Sequence, residues 1–466
     1  MQAPSERSGP SLARAVGGAG FFTLAFGSIV GSGWVVVLGE WIAAAGPGGA
    51  LIGFLAGGLL MALVAAAYAE LVARLPRAGC ECSFALEGIG PRSGFITGWF
   101  LCLYVVSFTA FEAIALSWFL EMLFPALAQG PVPYRLLGHD VSLFALLLGV
   151  CGAVLLGIFN SLGAHLAVGL QRLITFAFIG LSLLLILLGF WKGDPQNWQP
   201  FFLAPERGSL GTGIFWVFAT STLFLSGFQS AANAIEERSH ATSFKSVARA
   251  MIGGVAGATA FYCLIILASP ALVPWRDLLT QSLPVAAAFQ KALPNGLASK
   301  IILIAAIISL AKTWSALHLS ASRLVLAQAR AGFLPVALAK VDPVHGVPRR
   351  AIMFVAVCTC FGVCLGRGAI LPIINMSTIC VTLIVVLSLI ALLRVRRRQN
   401  VQPGFVLAGG TPLVLMIMLG AAVAAIVAVV SPFQAATGVP LEFLMMGGWT
   451  FLGIIFWLGT AAQRVR

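Results

Sequence analysis

Phe26-Gly27-Ser28-Ile29-Val30-Gly31-Ser32-Gly33-Trp34 lies in the middle of an apolar segment, Gly20 to Ala45, that is otherwise long enough to cross a bilayer as one helix. Three glycines and two serines fall within seven of these residues. Glycine costs about 1 kcal/mol relative to alanine in a helix interior, so the stretch favours local unwinding. Unwinding bares backbone N–H and C=O groups, and each bare group costs several kcal/mol in hydrocarbon. Irregular backbone at membrane depth therefore survives only where protein buries it or where it lines a polar cavity. Small residues in a membrane helix can also mark close helix packing, so one such stretch is ambiguous. A second interruption in a corresponding position decides the reading.

The composition around this stretch excludes a soluble class. Of the 466 residues 60% are hydrophobic and 9% charged, with a mean hydropathy of +1.00. Apolar windows near 20–45, 49–73, 95–124, 141–159, 166–191, 213–235, 248–273, 299–323, 350–366, 369–393, 405–430 and 441–462 predict an all-α polytopic membrane protein with twelve transmembrane helices. The net charge of +13 follows topology and not nucleic-acid binding. Twenty of the 28 basic residues, from Arg7 and Arg14 through Arg394–Arg398 to Arg466, fall on one side and seven on the other, with Lys312 left inside a span. The positive-inside rule then puts both termini in the cytoplasm, and the expected location is integral to the plasma (inner) membrane. Cys80 and Cys82 fall in a cytoplasmic loop, where thiols stay reduced. Cys358, Cys360 and Cys364 spread around a helix instead of sharing a face, so they read as packing residues and no metal site is expected.

The second interruption is in span six. Thr220-Ser221-Thr222 leads to Ser226-Gly227, then Gln229 and Asn233, and these polar groups can satisfy backbone freed by a break near Leu225 to Gly227. Spans one and six are the first members of two successive groups of five. With an odd number of spans per group the second inserts upside down, an inverted repeat in which paired broken helices point to a binding site at the membrane midplane. The division expected is a tail at 1–15, a first repeat at 16–191, a second at 192–394, and spans eleven and twelve with the C-terminus at 395–466.

At these residues the chain resembles the amino acid–polyamine–organocation (APC) superfamily. Gly27-Ser28-Ile29-Val30-Gly31-Ser32-Gly33 looks like the family's first-span signature, as does Gly227-Phe228-Gln229 followed by Glu236-Glu237. Ser320-Ala321-Ser322-Arg323, Ala329-Arg330-Ala331-Gly332-Phe333-Leu334-Pro335 and Gly346-Val347-Pro348 are similar to the end of its span eight and the loop beyond. The resemblance runs from about residue 16 to 394. It implies a LeuT-like fold, ten core helices plus two, carrying amino acids or amines by alternating access. Gln229 stands where the family usually has an acid, and His240-Ala241 replaces a common Asn-Pro. The lysine that fills a cation site in span five of some members is missing from Leu173 to Ser182.

An unwound span one presents the N–H groups of Ser32, Gly33 and Trp34 at the start of a half-helix, where the dipole suits a carboxylate. Carbonyls from Leu223 to Ser226, at the end of the first half of span six, suit an ammonium group. Ile29, Val30, Gly31, Ser32, Gly33, Leu223, Phe224, Ser226, Gly227 and Phe228 are thus the expected substrate-binding residues. Phe224 and Phe228 are alternative gates, and the resemblance favours Phe228. Glu112 lies among apolar residues of span three and must face protein or water. Lys312 is roughly 16–18 Å from either surface anchor, Lys300 or Arg323, beyond easy snorkelling. It shares a stripe with Ser309, Thr313, Ala316 and Ser320. By resemblance this part of span eight faces the break of span one, at the place of a sodium site in LeuT-like transporters, so Lys312 reads either as a fixed cation in its place, as a partner of Glu112 or of an anionic substrate side chain, or as one half of a purely structural ion pair. Lys312, Glu112 and Gln229 form the expected coupling or cation-site set.

The expected function is secondary transport of an amino acid or amine, sodium-independent and either proton-coupled or an exchanger. The partners are a small-molecule substrate and the lipid bilayer, with oligomeric state left open and no cofactor. His139, His165, His240, His318 and His345 are scattered, and neither a hydrolase motif nor an ATP-binding loop is present, which argues against an enzyme or a primary pump. A non-transporting membrane sensor or partner subunit is the alternative.

Overall fold

The computed structural model describes residues 16–77, 79–162, 164–203, 210–290, 292, 297–398, 403–435 and 438–460; the expected tail, 1–15, and Arg464 and Arg466 lie outside them. In chain order the first helices are α1 (Gly18–Ile29), α2 (Gly33–Val36), α3 (Leu38–Arg74), α4 (Cys80–Gly88) and α5 (Pro91–Leu123). A hairpin follows, β1 (Tyr134–Leu136) and β2 (His139–Val141), then α6 (Leu143–Ser161), α7 (Ala164–Lys192), α8 (Leu210–Phe224), α9 (Gln229–Asn233) and α10 (Phe244–Leu272). The last are α11 (Trp275–Leu278), α12 (Pro284–Gln290), α13 (Leu297–Arg330), α14 (Arg349–Val363), α15 (Ile370–Arg398), α16 (Gly410–Ala435) and α17 (Leu441–Gly459). The chain is an all-α polytopic membrane protein, and the hairpin is the one sheet among the described residues.

Eleven helices among the described residues are long and apolar enough to cross a membrane, not the expected twelve. The shortfall is at the ninth window, 350–366, where α14 has only 15 residues. That length rises about 22 Å, less than the roughly 30 Å hydrocarbon core of a bilayer. Its two ends are nevertheless tied to opposite faces of the bundle. Arg349, at its start, pairs with Asp342 in the loop after α13. Just beyond its end, the Cys364 carbonyl accepts from the Tyr134 hydroxyl of the hairpin at 2.5 Å.

The two faces differ in charge. One gathers α4 and the last turns of α3, α13 and α15: Arg396 pairs with Glu70 at 2.5 Å, and Arg77 with Glu87 at 2.9 Å. The other carries the hairpin and the partly buried pair of Arg367 with Glu121.

Span one is not a single rod. α1 stops at Ile29 because Val30 takes an extended conformation (φ −91°, ψ 94°), and helix resumes at Gly33. Gly46, at φ 71° and ψ 170°, and Pro47 turn the chain sharply within α3, which holds the end of span one and all of span two; at the turn the Gly48 N–H donates to the Phe201 carbonyl at 2.8 Å. Span six breaks likewise between Phe224 and Gln229. The two breaks meet: a Cβ on Gly227, which has φ +116°, would stand 2.5 Å from the Ser28 carbonyl oxygen and 3.0 Å from the Ile29 nitrogen. Only glycine satisfies both that φ and that approach.

Candidate functional site

Helix α13 delivers Lys312 to the span-one break. The ammonium donates to the carbonyl of Gly27 at 3.1 Å and to that of Val30. Gly27 lies in the last turn of α1 and Val30 just beyond it, where carbonyls lack intrahelical donors and the helix dipole places partial negative charge. The Thr313 hydroxyl is 2.9 Å from each of the same carbonyls, and the Ser309 hydroxyl bridges Val30 and Gly31 at 2.9 and 2.8 Å. Lys312 is 1% exposed, and the ring of Phe178 from span five covers it at 4.7 Å. An aromatic side chain from the Leu173–Ser182 window therefore covers the ammonium, which arrives from span eight.

On the other side of the break, Glu112 of α5 receives the Ser32 hydroxyl at 2.6 Å and the Ser32 N–H at 3.4 Å. Its carboxyl caps the second half-helix, as the ammonium caps the first. The two end groups match the two helix dipoles in sign. Ser32 thus spends its N–H within the protein, whereas Gly33 and Trp34 make no backbone hydrogen bond through theirs among the described residues. Phe224 lies over Gly33: a Cβ there would press on the ring, with Cδ1 at 2.6 Å. Phe224 also packs on Trp41, with ring centroids 5.0 Å apart, in a cluster with Phe54 and Tyr262.

In span six the Leu223 carbonyl accepts from the Ser226 N–H at 3.0 Å and from its hydroxyl at 2.6 Å. Gln229 folds back, its side-chain oxygen 2.5 Å from the Gly227 N–H. Phe228 points away from Gly33 and packs on Tyr68, with ring centroids 5.4 Å apart. Of the two aromatic side chains weighed as gates, the structure brings Phe224 to the span-one break; the reversed φ at Gly227 turns the chain so that Phe228 leaves it.

The expected residues therefore lie together around two touching breaks: Ile29 to Gly33 on one, Leu223 to Gln229 on the other, with Lys312 and Glu112 at the buried, facing ends of the half-helices. Sequence reasoning missed Tyr104, whose hydroxyl is 3.0 Å from that of Ser226, and Glu81 of α4. Tyr104 carries no pattern that separates it from other membrane aromatics. Glu81 carried a weak signal, an acid in the short connector between spans two and three.

Paired broken helices buried within a bundle of membrane-length helices define a membrane transport protein, not an enzyme. The chain belongs to the amino acid permease family, whose model it matches over residues 18–457. Similar relatives include the methylthioribose transporter of Bacillus subtilis, 28% identical over 394 residues that span 82% of this chain and 82% of the relative. The branched-chain amino acid permease BcaP of the same organism is 25% identical over 418 residues, 87% of this chain and 85% of the relative. Human cationic amino acid transporter 4 is 28% identical over 383 residues, 79% of this chain and 58% of the relative.

Proposed function

We propose that this permease is a secondary active transporter of a zwitterionic amino acid or closely related amine, working by alternating access without sodium. The observation that carries the reading is the Lys312 ammonium on the Gly27 and Val30 carbonyls. With Thr313 and Ser309 it fills a cluster of oxygen atoms suited to a small cation, and a fixed charge there removes the need for a metal ion. Coupling then falls to protons or to a counter-substrate. We read residues 16–191 and 192–394 as inverted five-helix repeats, 395–466 as peripheral spans, and the arginine-rich face as cytoplasmic.

In this reading the Gly33 and Trp34 N–H groups take the substrate carboxylate, and the carbonyls beside Ser226 and Gly227 take its ammonium. Phe224 closes over both. Lys312 and Glu112 carry opposite formal charges at the two half-helix ends, which favours a substrate without net charge. That preference agrees better with the relative named for branched-chain amino acids than with the one named for cationic ones.

Uptake and exchange of the twenty radiolabelled amino acids in proteoliposomes test the proposal, with sodium replaced by choline. Flux of a neutral amino acid that survives the replacement is the expected result. Specific binding without flux for any of them points instead to a sensor or partner subunit.

Gln229 supplies a further test. Its side-chain oxygen holds the Gly227 N–H, and its amide acts on the buried Glu81 carboxyl. Gln229→Glu keeps an acceptor for Gly227 but sets two carboxyl groups side by side. The pH dependence of initial uptake rates between pH 5.5 and 7.5 is expected to change, or the preference for substrate charge with it. An unchanged profile and ranking make the position structural only.

A further inference from the structure

The last turns of α15 carry more positive charge than the protein itself uses. Arg394, Arg397 and Arg398 stand at i, i+3 and i+4 and so share one side of the helix, whereas Arg396 lies on the other and pairs with Glu70. The shared side meets α4, where a Cβ on Gly88 would stand 2.8 Å from the Ala391 Cβ. Arg394 donates to the Ile89 carbonyl and Arg398 to the Glu87 carbonyl, each at 3.5 Å. Both carbonyls belong to the C-terminal end of α4, which attracts cations but carries no formal charge.

Two more arginines reach the same place. Arg77 arrives through Glu87, at 2.9 Å, and Arg92 follows three residues after Ile89 at the start of α5. All five are exposed, and Glu87 is the one acid paired with any of them among the described residues, which leaves a surplus of four charges. The patch lies where two membrane-length helices, α5 and α15, respectively begin and end, so its guanidinium groups stand at the level of lipid headgroups. On the bilayer side of it, Phe95 of α5 packs on Trp457 of α17, with ring centroids 5.0 Å apart. Such aromatic residues mark the membrane interface. Beside them Ile96 is 45% exposed and Leu458 68% exposed, an apolar strip running away from the arginines.

We propose that this patch binds an anionic glycerophospholipid of the surrounding leaflet, with its phosphate among Arg92, Arg394 and Arg398 at the end of α4 and an acyl chain along Ile96 and Leu458. A guanidinium offers five N–H donors in a planar fork that matches phosphate oxygens, and a single long bond to a carbonyl leaves most of them free. Clusters of arginines beside a membrane helix attract anionic headgroups for the same reason. A soluble anion has no use for the apolar strip, whereas a lipid covers both parts. The lipid fastens α4 to α5 and α15, and α4 also packs on α9 of the span-six break. The inference rests on the membrane class alone and not on what is transported.

Native mass spectrometry of the purified full-length protein in nonionic detergent, titrated with dioleoylphosphatidylglycerol or dioleoylphosphatidylcholine, reads the site directly. Phosphatidylglycerol is expected to bind about tenfold more tightly than phosphatidylcholine, or better, and to lose about tenfold in the double variant Arg394→Gln/Arg398→Gln. Because that run also orients the chain in the membrane, Arg77→Gln/Arg92→Gln serves as a second variant that leaves it intact, with an expected loss of about fivefold. Lys245→Gln/Arg249→Gln, at the start of α10, is the control and is expected to stay within about twofold of wild type. Soluble glycerol 3-phosphate separates a lipid from a free phosphate, and it is expected not to displace the bound lipid. Equal binding of the two lipids, both arginine pairs within about twofold of wild type, or a loss in the control as large as theirs overturns the proposal. Displacement by glycerol 3-phosphate overturns it too, because the patch is then a site for the phosphate and not for the lipid.

Discussion

Lys312→Met is expected to abolish transport while leaving membrane insertion intact. Methionine keeps the length and apolar stem of the side chain, so it fills the space beneath Phe178 and against α1. What it removes is the ammonium that serves the Gly27 and Val30 carbonyls. Hydrogen bonds to a charged group are worth about 1.5–3 kcal/mol each, so the loss of two is expected to lower the transport rate by about 100-fold or more. Thr313 and Ser309 remain on the same carbonyls, but neutral hydroxyls cannot replace the charge. The break then loses the group that matches the end of α1, and Glu112 loses the opposite charge that balances it across the break. Initial uptake rates of the wild type and the variant in proteoliposomes, at equal reconstituted protein and with or without sodium, check the expectation. Sodium-dependent wild-type uptake, or wild-type rates and pH dependence in Lys312→Met, sinks the fixed-cation reading.

Gly33→Leu is the second substitution with a large expected effect. The Cα of Gly33 faces Phe224 so closely that even one added carbon overlaps the ring, and leucine adds three more. Phe224 cannot yield easily, because Trp41 supports it and Trp41 is in turn packed on Phe54 and Tyr262. Bulk at this position also covers the N–H groups of Gly33 and Trp34, where the substrate carboxylate is expected to bind. Leucine is favourable in a membrane helix, so insertion and expression should survive while transport falls to background. Overpacking in a dense core costs about 1–3 kcal/mol, which a membrane protein of this size tolerates. Wild-type transport by a well-expressed Gly33→Leu protein excludes substrate contact at this backbone.

Much of the site was legible because membrane-spanning segments leave few ways to be polar. Gly27 to Gly33 and Ser226 to Gln229 stand out in apolar runs, and a charged side chain at the depth of Lys312 must find acceptors inside the protein. The stripe Ser309, Lys312 and Thr313 could be placed on one face by helical spacing alone, and all three reach the same break in the fold. The gate was less legible. Phe224 and Phe228 are one turn apart in sequence, and only the positive φ at Gly227 separates the ring that covers Gly33 from the ring that packs on Tyr68.

By itself, the sequence determined the membrane class, the family resemblance, the position of both breaks and the isolation of Lys312, because each follows from local composition and spacing. The tertiary structure decided what those features touch. It turned Glu112 onto Ser32, laid Phe224 over Gly33, and shortened the ninth helix to 15 residues while its ends still reach opposite faces. It also buried Glu81 beside Gln229, a juxtaposition between residues 148 positions apart in the chain. Such contacts depend on how helices pack across the bundle, and helical periodicity carries no information about which neighbour a face will meet.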